Sequence, residues 1–299
     1  MPKLTRVFHI AGTIFLFLVV VMMLISLFRK NVYDRRLGIN LLLIGKDGMG
    51  VVSIRPGSGL VGLLRLPDNL SIPVEVNGAE YVVESFYKVG LPVDDALNAA
   101  RVGTGQALGV VLSGVVKAPV EFGLAGLREA LFTVSTQSNL SLVDRYFLVK
   151  DITEKLGSKT SLAMTLPKNV IDTAEEPDGK KVGKLNTAVF VWSRNQWVVD
   201  EVLSETAEVT VVNASGKDGK ARLVAHQIES AGVRVIDLLA AKKDFDQSCV
   251  IWGNTKVHPK TAEFLASSFS CQPVEKLNLL DYIDRDVKSD LVVVLGKRS

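Results

Sequence analysis

The sequence is short of the residues from which most metal and redox sites are built. It contains two cysteines and three histidines among 299 residues. Neither cysteine belongs to a CxxC pair, and His9, His226 and His258 lie far apart along the chain. These spacings exclude the common zinc motifs. No glycine-rich run is followed by Lys-Ser or Lys-Thr, so the sequence also lacks a P-loop for nucleotides.

A strong excess of basic charge is absent as well. The 35 Lys and Arg residues are interspersed with 32 Asp and Glu residues, which gives a net charge of +3. We therefore expect no nucleic-acid partner, and no helix-turn-helix pattern is evident. The chain is 47% hydrophobic with a mean hydropathy of +0.26, which is too apolar for a disordered chain. Its length allows two domains.

One long stretch carries no charge at all. Ile10–Phe28 is apolar throughout, and about 20 such residues span the core of a bilayer. This predicts a transmembrane helix at 10–28, after a short cytoplasmic tail at 1–9. A cleaved signal peptide is the alternative, but its apolar region is shorter, and this stretch ends in Arg29-Lys30. Basic residues flank both sides about equally, so flanking charge leaves the orientation open.

The rest of the chain predicts an α/β (α+β) protein with a mixed-sheet domain at 38–203 and a smaller domain at 206–299. Asn40–Gly45 is apolar on both faces and predicts a central buried strand, and Val51–Leu66 predicts a hairpin. Ser141–Gly157 predicts an amphipathic helix that begins with a box-like cap.

Two later segments are expected to differ in character. Ala174–Gly183 is polar and predicts a surface loop, whereas the apolar run Ala188–Trp192 predicts a strand. Beyond them, strands alternate with helices in a βαββαβ-like order, starting from the strand Glu208–Asn213 and the helix Lys217–Ala231.

The two cysteines fall in this last domain. Cys249 lies in a predicted buried strand, and Cys271 lies just past the next predicted helix. Consecutive elements are usually neighbours in space, so a disulfide is feasible outside the cell. Two buried free thiols are the alternative.

The C-terminal domain contains a turn at 213–216, a strand led by Gly232 and a closing strand with the sequence VVVLG. In these features it resembles the LytR C-terminal domain over roughly Ala207–Lys297. Asn213, Ser215 and Gly216 match an Asn-Gly-x-Gly turn that is typical of that domain, with Ala214 in place of its first glycine. The turn opens a predicted helix, where it could hold an anion; a tight turn without a ligand is the alternative.

The preceding domain is similar to the exported phosphotransferase domain of the LytR–CpsA–Psr family. Gly45-Lys46-Asp47 resembles the Gly-x-Asp motif that ends its first strand. The family's Arg-Ser-Asp motif is missing between Asp47 and Val51, and Pro67-Asp68-Asn69 stands in place of Pro-Arg-Asp. The family's later arginine-rich stretch also has no counterpart between Val120 and Leu140.

These departures decide what the resemblance implies. In the family, arginines grip a lipid pyrophosphate and carboxylates hold Mg²⁺, because phosphoryl transfer depends on such charge placement. In this chain Asp47 and Asp68 remain as catalytic candidates only if the protein is active. The alternative for each is turn chemistry: Asp47 capping the turn after a strand, and Asp68 with Asn69 forming a turn.

The first hypothesis is therefore a bacterial, single-pass cell-membrane protein whose bulk is extracytoplasmic, an orientation that the family resemblance implies. Its role would be binding or scaffolding in cell-wall glycopolymer assembly, as a pseudoenzyme with no assigned cofactor. The alternative is an Mg²⁺-dependent phosphotransferase that attaches glycopolymers from a polyprenyl-pyrophosphate carrier to peptidoglycan. The expected partners are the membrane and such a glycopolymer or lipid. The family's older names suggest a third hypothesis, that of a membrane-bound transcriptional attenuator.

Overall fold

The structure is a computed structural model of the chain. It describes residues 12–14, 16–17, 20–21, 31–74, 79–133, 135–156, 161–176, 178–194, 196–284 and 286–297. The predicted anchor at 10–28 therefore lies largely outside the described residues, although those described within it are helical. Among the residues that can be described, no helix is both long and apolar enough to cross a membrane.

The first domain is built on a six-stranded mixed sheet, as the apolar runs predict. Its first three strands form an antiparallel meander, and the other three come from later parts of the chain. The strands are β1 (Ile39–Ile44), β2 (Met49–Arg55), β3 (Leu60–Arg65), β6 (Gly114–Lys117), β7 (Gln137–Ser138) and β8 (Ser161–Met164). Their order across the sheet is β7-β6-β1-β2-β3-β8.

Strand β1 lies inside this sheet and is buried on both faces, which confirms its prediction as a central strand. Leu42 and Ile44 belong to one hydrophobic cluster, whereas Leu41 and Leu43 belong to the cluster on the other face. Successive side chains of a strand point to opposite faces, so a run of consecutive apolar residues requires cover on both sides.

In the described part of the chain, two small antiparallel hairpins and six α-helices complete this domain and its junction with the next. The hairpins pair β4 (Ser71–Val74) with β5 (Ala79–Val82), and β9 (Ile171–Glu175) with β10 (Lys181–Leu185). The helices are α1 (Val83–Lys88), α2 (Ala96–Leu108), α3 (Leu124–Phe132), α4 (Leu142–Leu156), α5 (Ala188–Ser193) and α6 (Asp200–Ser204).

Two local predictions were wrong. The predicted loop Ala174–Gly183 is largely the β9–β10 hairpin, whose charged side chains face solvent while Val182 is buried. The predicted strand Ala188–Trp192 is helix α5, with Val189 buried. Periodicity alone cannot separate a strand from a helix in an apolar run this short.

The second domain is a five-stranded sheet in the order β12-β11-β15-β13-β14. Strand β11 (Glu208–Asn213) is parallel to both of its neighbours. The other elements are β12 (Arg234–Ala240), β13 (Cys249–Gly253), β14 (Gln272–Pro273), β15 (Leu291–Leu295), α7 (Lys220–Ser230) and α8 (Pro259–Phe269). This arrangement, together with the first domain, confirms the mixed α/β class.

Candidate functional site

The predicted acidic residues lie at one edge of the six-stranded sheet. Strands β1, β3 and β6 all end there, because β1 is parallel to β6 and the β1–β2–β3 meander is antiparallel. The edge therefore carries the turn with Asp47, the end of β3 at Arg65, the following turn with Asp68, and Lys117 at the end of β6.

Asp47 braces the loop that follows β6. Its carboxylate accepts a hydrogen bond from the backbone N–H of Phe122 at 2.7 Å. The Arg65 guanidinium lies 3.6 Å from the same carboxylate and 5.8 Å from the centre of the Phe122 ring. Both charged side chains are exposed, so this ion pair contributes at most about 1 kcal/mol. The arrangement is that of a turn held against a loop.

Asp68 has a separate set of partners. Its backbone carbonyl accepts the N–H of Glu84 at 2.9 Å, which ties the turn to the start of α1. Its side chain bonds to Tyr87, whose pKa is raised by burial first and then by this hydrogen bond. The next residue, Asn69, accepts the N–H of Gly183 through its carbonyl at 2.9 Å. These contacts agree with the interpretation of Pro67-Asp68-Asn69 as a turn.

Magnesium does not fit this edge as it stands. The Asp47 carboxylate faces a guanidinium, whose positive charge opposes a divalent cation, and no described contact joins Asp47 to Asp68. Within the described ranges, no group of three or more His, Cys, Asp and Glu side chains could hold a metal ion. Mg²⁺ needs several oxygen ligands in near-octahedral geometry.

The basic side chains at this edge are also engaged. The Lys117 ammonium donates to the backbone carbonyl of Phe86 at 3.2 Å, and Lys46 lies 3.5 Å from Glu121. Sequence reasoning missed Arg65 and Phe122 as partners of Asp47. The signal for Arg65 was present, since hairpin pairing of β2 with β3 brings Arg65 opposite Gly50.

A large cavity is at the opposite edge of this sheet, where β1 begins and β2 ends. Its volume is about 840 Å³. The walls come from both domains: the segment before β1, strand β2, helix α2, residues 197–199 and helix α8. Four arginines line it, namely Arg35, Arg36, Arg55 and Arg101.

The predicted turn of the second domain satisfies its own polar groups. The Asn213 amide donates to the carbonyl of Lys217 at 2.8 Å, and its oxygen accepts the Ser215 hydroxyl at 2.6 Å. Gly216 adopts φ +70°, a conformation that favours glycine. Helix α7 begins only at Lys220, beyond the turn. These bonds fit a tight turn, with the polar side chains directed at one another.

Cys249 and Cys271 are joined by a disulfide that links β13 to the segment after α8. Both residues are buried in the same hydrophobic cluster as Val211 of β11 and Val293 of β15. The cross-link closes a loop with a sequence separation of 22 residues.

Residues 206–298 match the sequence profile of a family described as LytR cell envelope-related transcriptional attenuator. The C-terminal domain is a LytR C-terminal domain. No curated protein matches the chain in sequence.

Solved structures of LytR–CpsA–Psr proteins are similar to the chain at low sequence identity. TagT of Bacillus subtilis is 14% identical with a TM-score of 0.38, over 54% of this chain and 89% of its own. A transcriptional regulator from Enterococcus faecalis is 10% identical with a TM-score of 0.43, over 69% and 92%. The family protein YwtF (TagT), solved with bound octaprenyl pyrophosphate lipid, is 14% identical with a TM-score of 0.37, over 54% and 89%.

The LytR C-terminal domain docks onto the first domain through α7. The Gln227 amide donates to the carbonyl of Val110 at 3.1 Å, and the rings of His226 and Phe190 stack with centroids 4.1 Å apart. Val111 belongs to the main hydrophobic cluster of the C-terminal domain. One wall of the large cavity is therefore fixed relative to the other by a packed interface.

Proposed function

We propose that this chain is an exported, membrane-anchored envelope protein that acts by binding or scaffolding in cell-wall glycopolymer assembly, without transferring phosphoryl groups. The observation that supports the proposal is the set of contacts made by the Asp47 carboxylate. Its carboxylate is held by a backbone N–H and a guanidinium, and it has no contact with Asp68 in the described part of the chain.

The chemistry of phosphoryl transfer supports this choice. Catalysis of that reaction consists mostly of placing cations and hydrogen-bond donors around the transferred phosphoryl group. At the Asp47 edge, Arg65 and Lys117 are each engaged by protein acceptors, and the arginine motifs of the related family are missing. With Arg65 paired to Asp47 and the family's arginine motifs missing, this edge provides little positive charge for that reaction.

Export and anchoring rest on two further observations. Ile10–Phe28 has the length and composition of a single membrane span. The Cys249–Cys271 disulfide is typical of proteins that fold in an oxidising compartment outside the cytoplasm. The proposed ligands are a cell-wall glycopolymer or its polyprenyl-pyrophosphate carrier, and the LytR C-terminal domain supports a role at the cell envelope.

The test is an assay of the full chain in detergent with geranylgeranyl pyrophosphate and Mg²⁺. We expect no Mg²⁺-dependent release of phosphate, and Asp47→Ala should behave like the exposed control Asp246→Ala. The loss of the Phe122 hydrogen bond should lower the free energy of unfolding of Asp47→Ala by about 1 kcal/mol. Turnover that disappears in Asp47→Ala but persists in Asp246→Ala would refute the proposal.

A second candidate function is the Mg²⁺-dependent phosphotransferase, acting from a polyprenyl-pyrophosphate carrier onto peptidoglycan. One observation favours it: Asp47, Arg65, Asp68 and Lys117 share one edge of the sheet. This reading requires Asp47 to leave Arg65 and approach Asp68 when substrate binds. The assay above distinguishes the two, because only the phosphotransferase depends on both Mg²⁺ and Asp47.

A further inference from the structure

The cavity between the two domains contains more positive charge than its walls neutralise. Arg36 forms ion pairs with both carboxylates of the cavity walls, at 2.9 Å from Asp34 and 2.7 Å from Glu263. Arg35 pairs with Asp151, a buried carboxylate of α4 that lies behind the wall. These pairs account for two of the four arginines.

The remaining two arginines have no such partner. Arg55 donates to the backbone carbonyl of Gln196, and Arg101 donates to the carbonyl of Leu112 and, at 2.6 Å, to the side-chain oxygen of Asn98. Neither guanidinium is at ion-pair distance from a carboxylate of the described residues. A guanidinium has five N–H donors, so most of those on Arg55 and Arg101 are left for another acceptor.

Both side chains are partly buried, which makes the lack of a carboxylate partner costly. Burial lowers the pKa of Arg55 and of Arg101, and the more distant carboxylates of Asp200 and Asp95 oppose the shift without reversing it. A cation removed from water without a counter-charge is unfavourable, so buried charges in proteins are normally paired. Two unpaired guanidiniums in the walls of one cavity indicate a site that an anion completes.

We propose that this cavity binds a phosphate-bearing anion through the guanidiniums of Arg55 and Arg101. Phosphate fits better than carboxylate, because it offers more acceptor oxygens to the two planar guanidiniums, and Ser113 also lines the cavity. At about 840 Å³ the cavity is far larger than a free phosphate ion. The phosphate is therefore one group of a larger molecule.

The site is distinct from the edge that carries Asp47. The cavity lies where β1 begins and β2 ends, whereas Asp47 lies where β1 ends and β2 begins. The proposal does not depend on the scaffolding role, because an active phosphotransferase with the same fold would have the same two unpaired arginines. It adds a binding site formed jointly by the first domain and the LytR C-terminal domain.

Two sources can supply such a phosphate: a soluble phosphate ester, or the headgroup of an anionic lipid. The first arm of the test is isothermal titration calorimetry of the full chain in neutral detergent with glycerol 3-phosphate and with pyrophosphate, against succinate as a carboxylate probe. The second arm compares thermal unfolding of the full chain in phosphatidylglycerol and phosphatidylcholine nanodiscs.

We expect saturable binding of a phosphate probe, or a higher unfolding temperature in phosphatidylglycerol, and the positive arm identifies the source. Arg55→Gln and Arg101→Gln should each weaken binding, or reduce the lipid effect, by roughly 10- to 100-fold in affinity. Arg234→Gln is the matched control, since that arginine is exposed and pairs with Glu208 outside the cavity. If Arg101→Gln does not fold, Arg101→Lys, which retains the charge, replaces it in the binding measurements.

Three results would overturn the proposal. The first is the absence of a response in both arms with the wild-type chain. The second is an equal loss in Arg234→Gln and Arg101→Gln, which would indicate nonspecific attraction to net charge. The third is succinate binding as tightly as the phosphate probes.

Discussion

At the scale of single residues, two buried carboxylates of α4 secure the segment that precedes β1. Asp144 accepts the backbone N–H groups of Val32 and Tyr33, and Asp151 accepts the Tyr33 hydroxyl at 2.7 Å. The two acids are seven residues apart, so they lie on one face of the helix. The sequence predicted Asp144 as part of a helix cap. Asp151 could not be predicted, because its partners are more than a hundred positions away.

The Tyr33–Asp151 bond predicts a pH dependence. Burial, followed by the hydrogen bond to Asp151, raises the pKa of Tyr33 well above its ordinary value near 10. The folded state therefore keeps the phenol protonated after the unfolded chain has begun to lose the proton. Its contribution to stability is complete below about pH 10 and is lost as the pH rises above that value, by up to about 1.4 kcal/mol per pH unit.

Tyr33→Phe should accordingly lower the free energy of unfolding by about 1–3 kcal/mol at pH 7. It should also reduce the loss of stability between pH 9 and 11. Urea unfolding of the full chain across this range measures both effects, with the exposed Tyr146→Phe as control. If the alkaline slopes of the two variants are the same, the bond to Asp151 does not govern this titration.

At the scale of elements, the sequence was most informative where burial was most uniform. The bounds predicted for Glu208–Asn213 are those of β11, and the predicted β1 differs from the observed strand by one residue at each end. The prediction failed where a short apolar segment could be buried either as a strand or as a helix. Ala188–Trp192 was predicted as a strand and lies in helix α5. The Asn77-Gly78 dipeptide, which is typical of a tight hairpin turn, lies outside the described residues, although the flanking strands β4 and β5 pair.

The candidate site could be predicted only in part, for a related reason. The Gly-Lys-Asp sequence placed Asp47 in the turn after a buried strand, and the structure has it there. The partner of its carboxylate, the N–H of Phe122, is 75 positions away and has no sequence signature. Arg55 and Arg101 were missed because their acceptors, the carbonyls of Gln196 and Leu112, have no sequence signature.

Helix α8 depends on one carboxylate from the junction between the domains. Glu205 accepts the N–H groups of Lys260 and Thr261 at 2.8 Å each, together with the Thr261 hydroxyl at 2.8 Å. Burial alone would raise the pKa of Glu205, but the hydrogen bonds from Thr261 and Lys260 outweigh it and lower the pKa. A carboxylate at a helix N-terminus also interacts favourably with the helix dipole.

Glu205→Gln should therefore destabilise the chain by about 1–2 kcal/mol at neutral pH. Because the folded pKa is depressed, the carboxylate stabilises the fold above the ordinary Glu value of about 4.3, and this stabilisation is lost as the pH falls through the folded pKa. The gap between wild type and Glu205→Gln should close below about pH 4. Thermal unfolding from pH 7 to pH 3 tests this, with the exposed Glu121→Gln as control. A gap that is constant over this range would contradict the assignment.

At the scale of the whole molecule, the two domains share packed contacts instead of being joined by the linker alone. The Arg194–Glu229 ion pair at 2.7 Å adds to the Gln227 hydrogen bond and to the stacked His226 and Phe190 rings. Such contacts are invisible to sequence periodicity, because the residues that meet are far apart along the chain. The interface also keeps the two walls of the arginine-lined cavity together.

A substitution at Gly109 tests this interface. Its φ is +64°, and an added Cβ would lie 2.6 Å from the Phe190 ring and 3.4 Å from His226. Gly59 is a matched control in the β2–β3 turn: its φ is +69°, and a Cβ there would have no neighbour within 4 Å. Both Gly→Ala changes incur the backbone cost of about 1 kcal/mol, but only Gly109→Ala also requires the Phe190 ring to move.

We expect Gly109→Ala to lower the free energy of unfolding by about 1–3 kcal/mol more than Gly59→Ala, as overpacking of a close interface does. Loosened docking should also expose the Leu203–Thr206 junction, so limited proteolysis should cleave there faster in Gly109→Ala. Equal destabilisation of the two variants, with equal cleavage, would mean that the ring contact does not hold the domains together. Because the arginine-lined cavity needs both walls, Gly109→Ala should weaken binding of the phosphate probe as well, whereas Gly59→Ala should leave it unchanged.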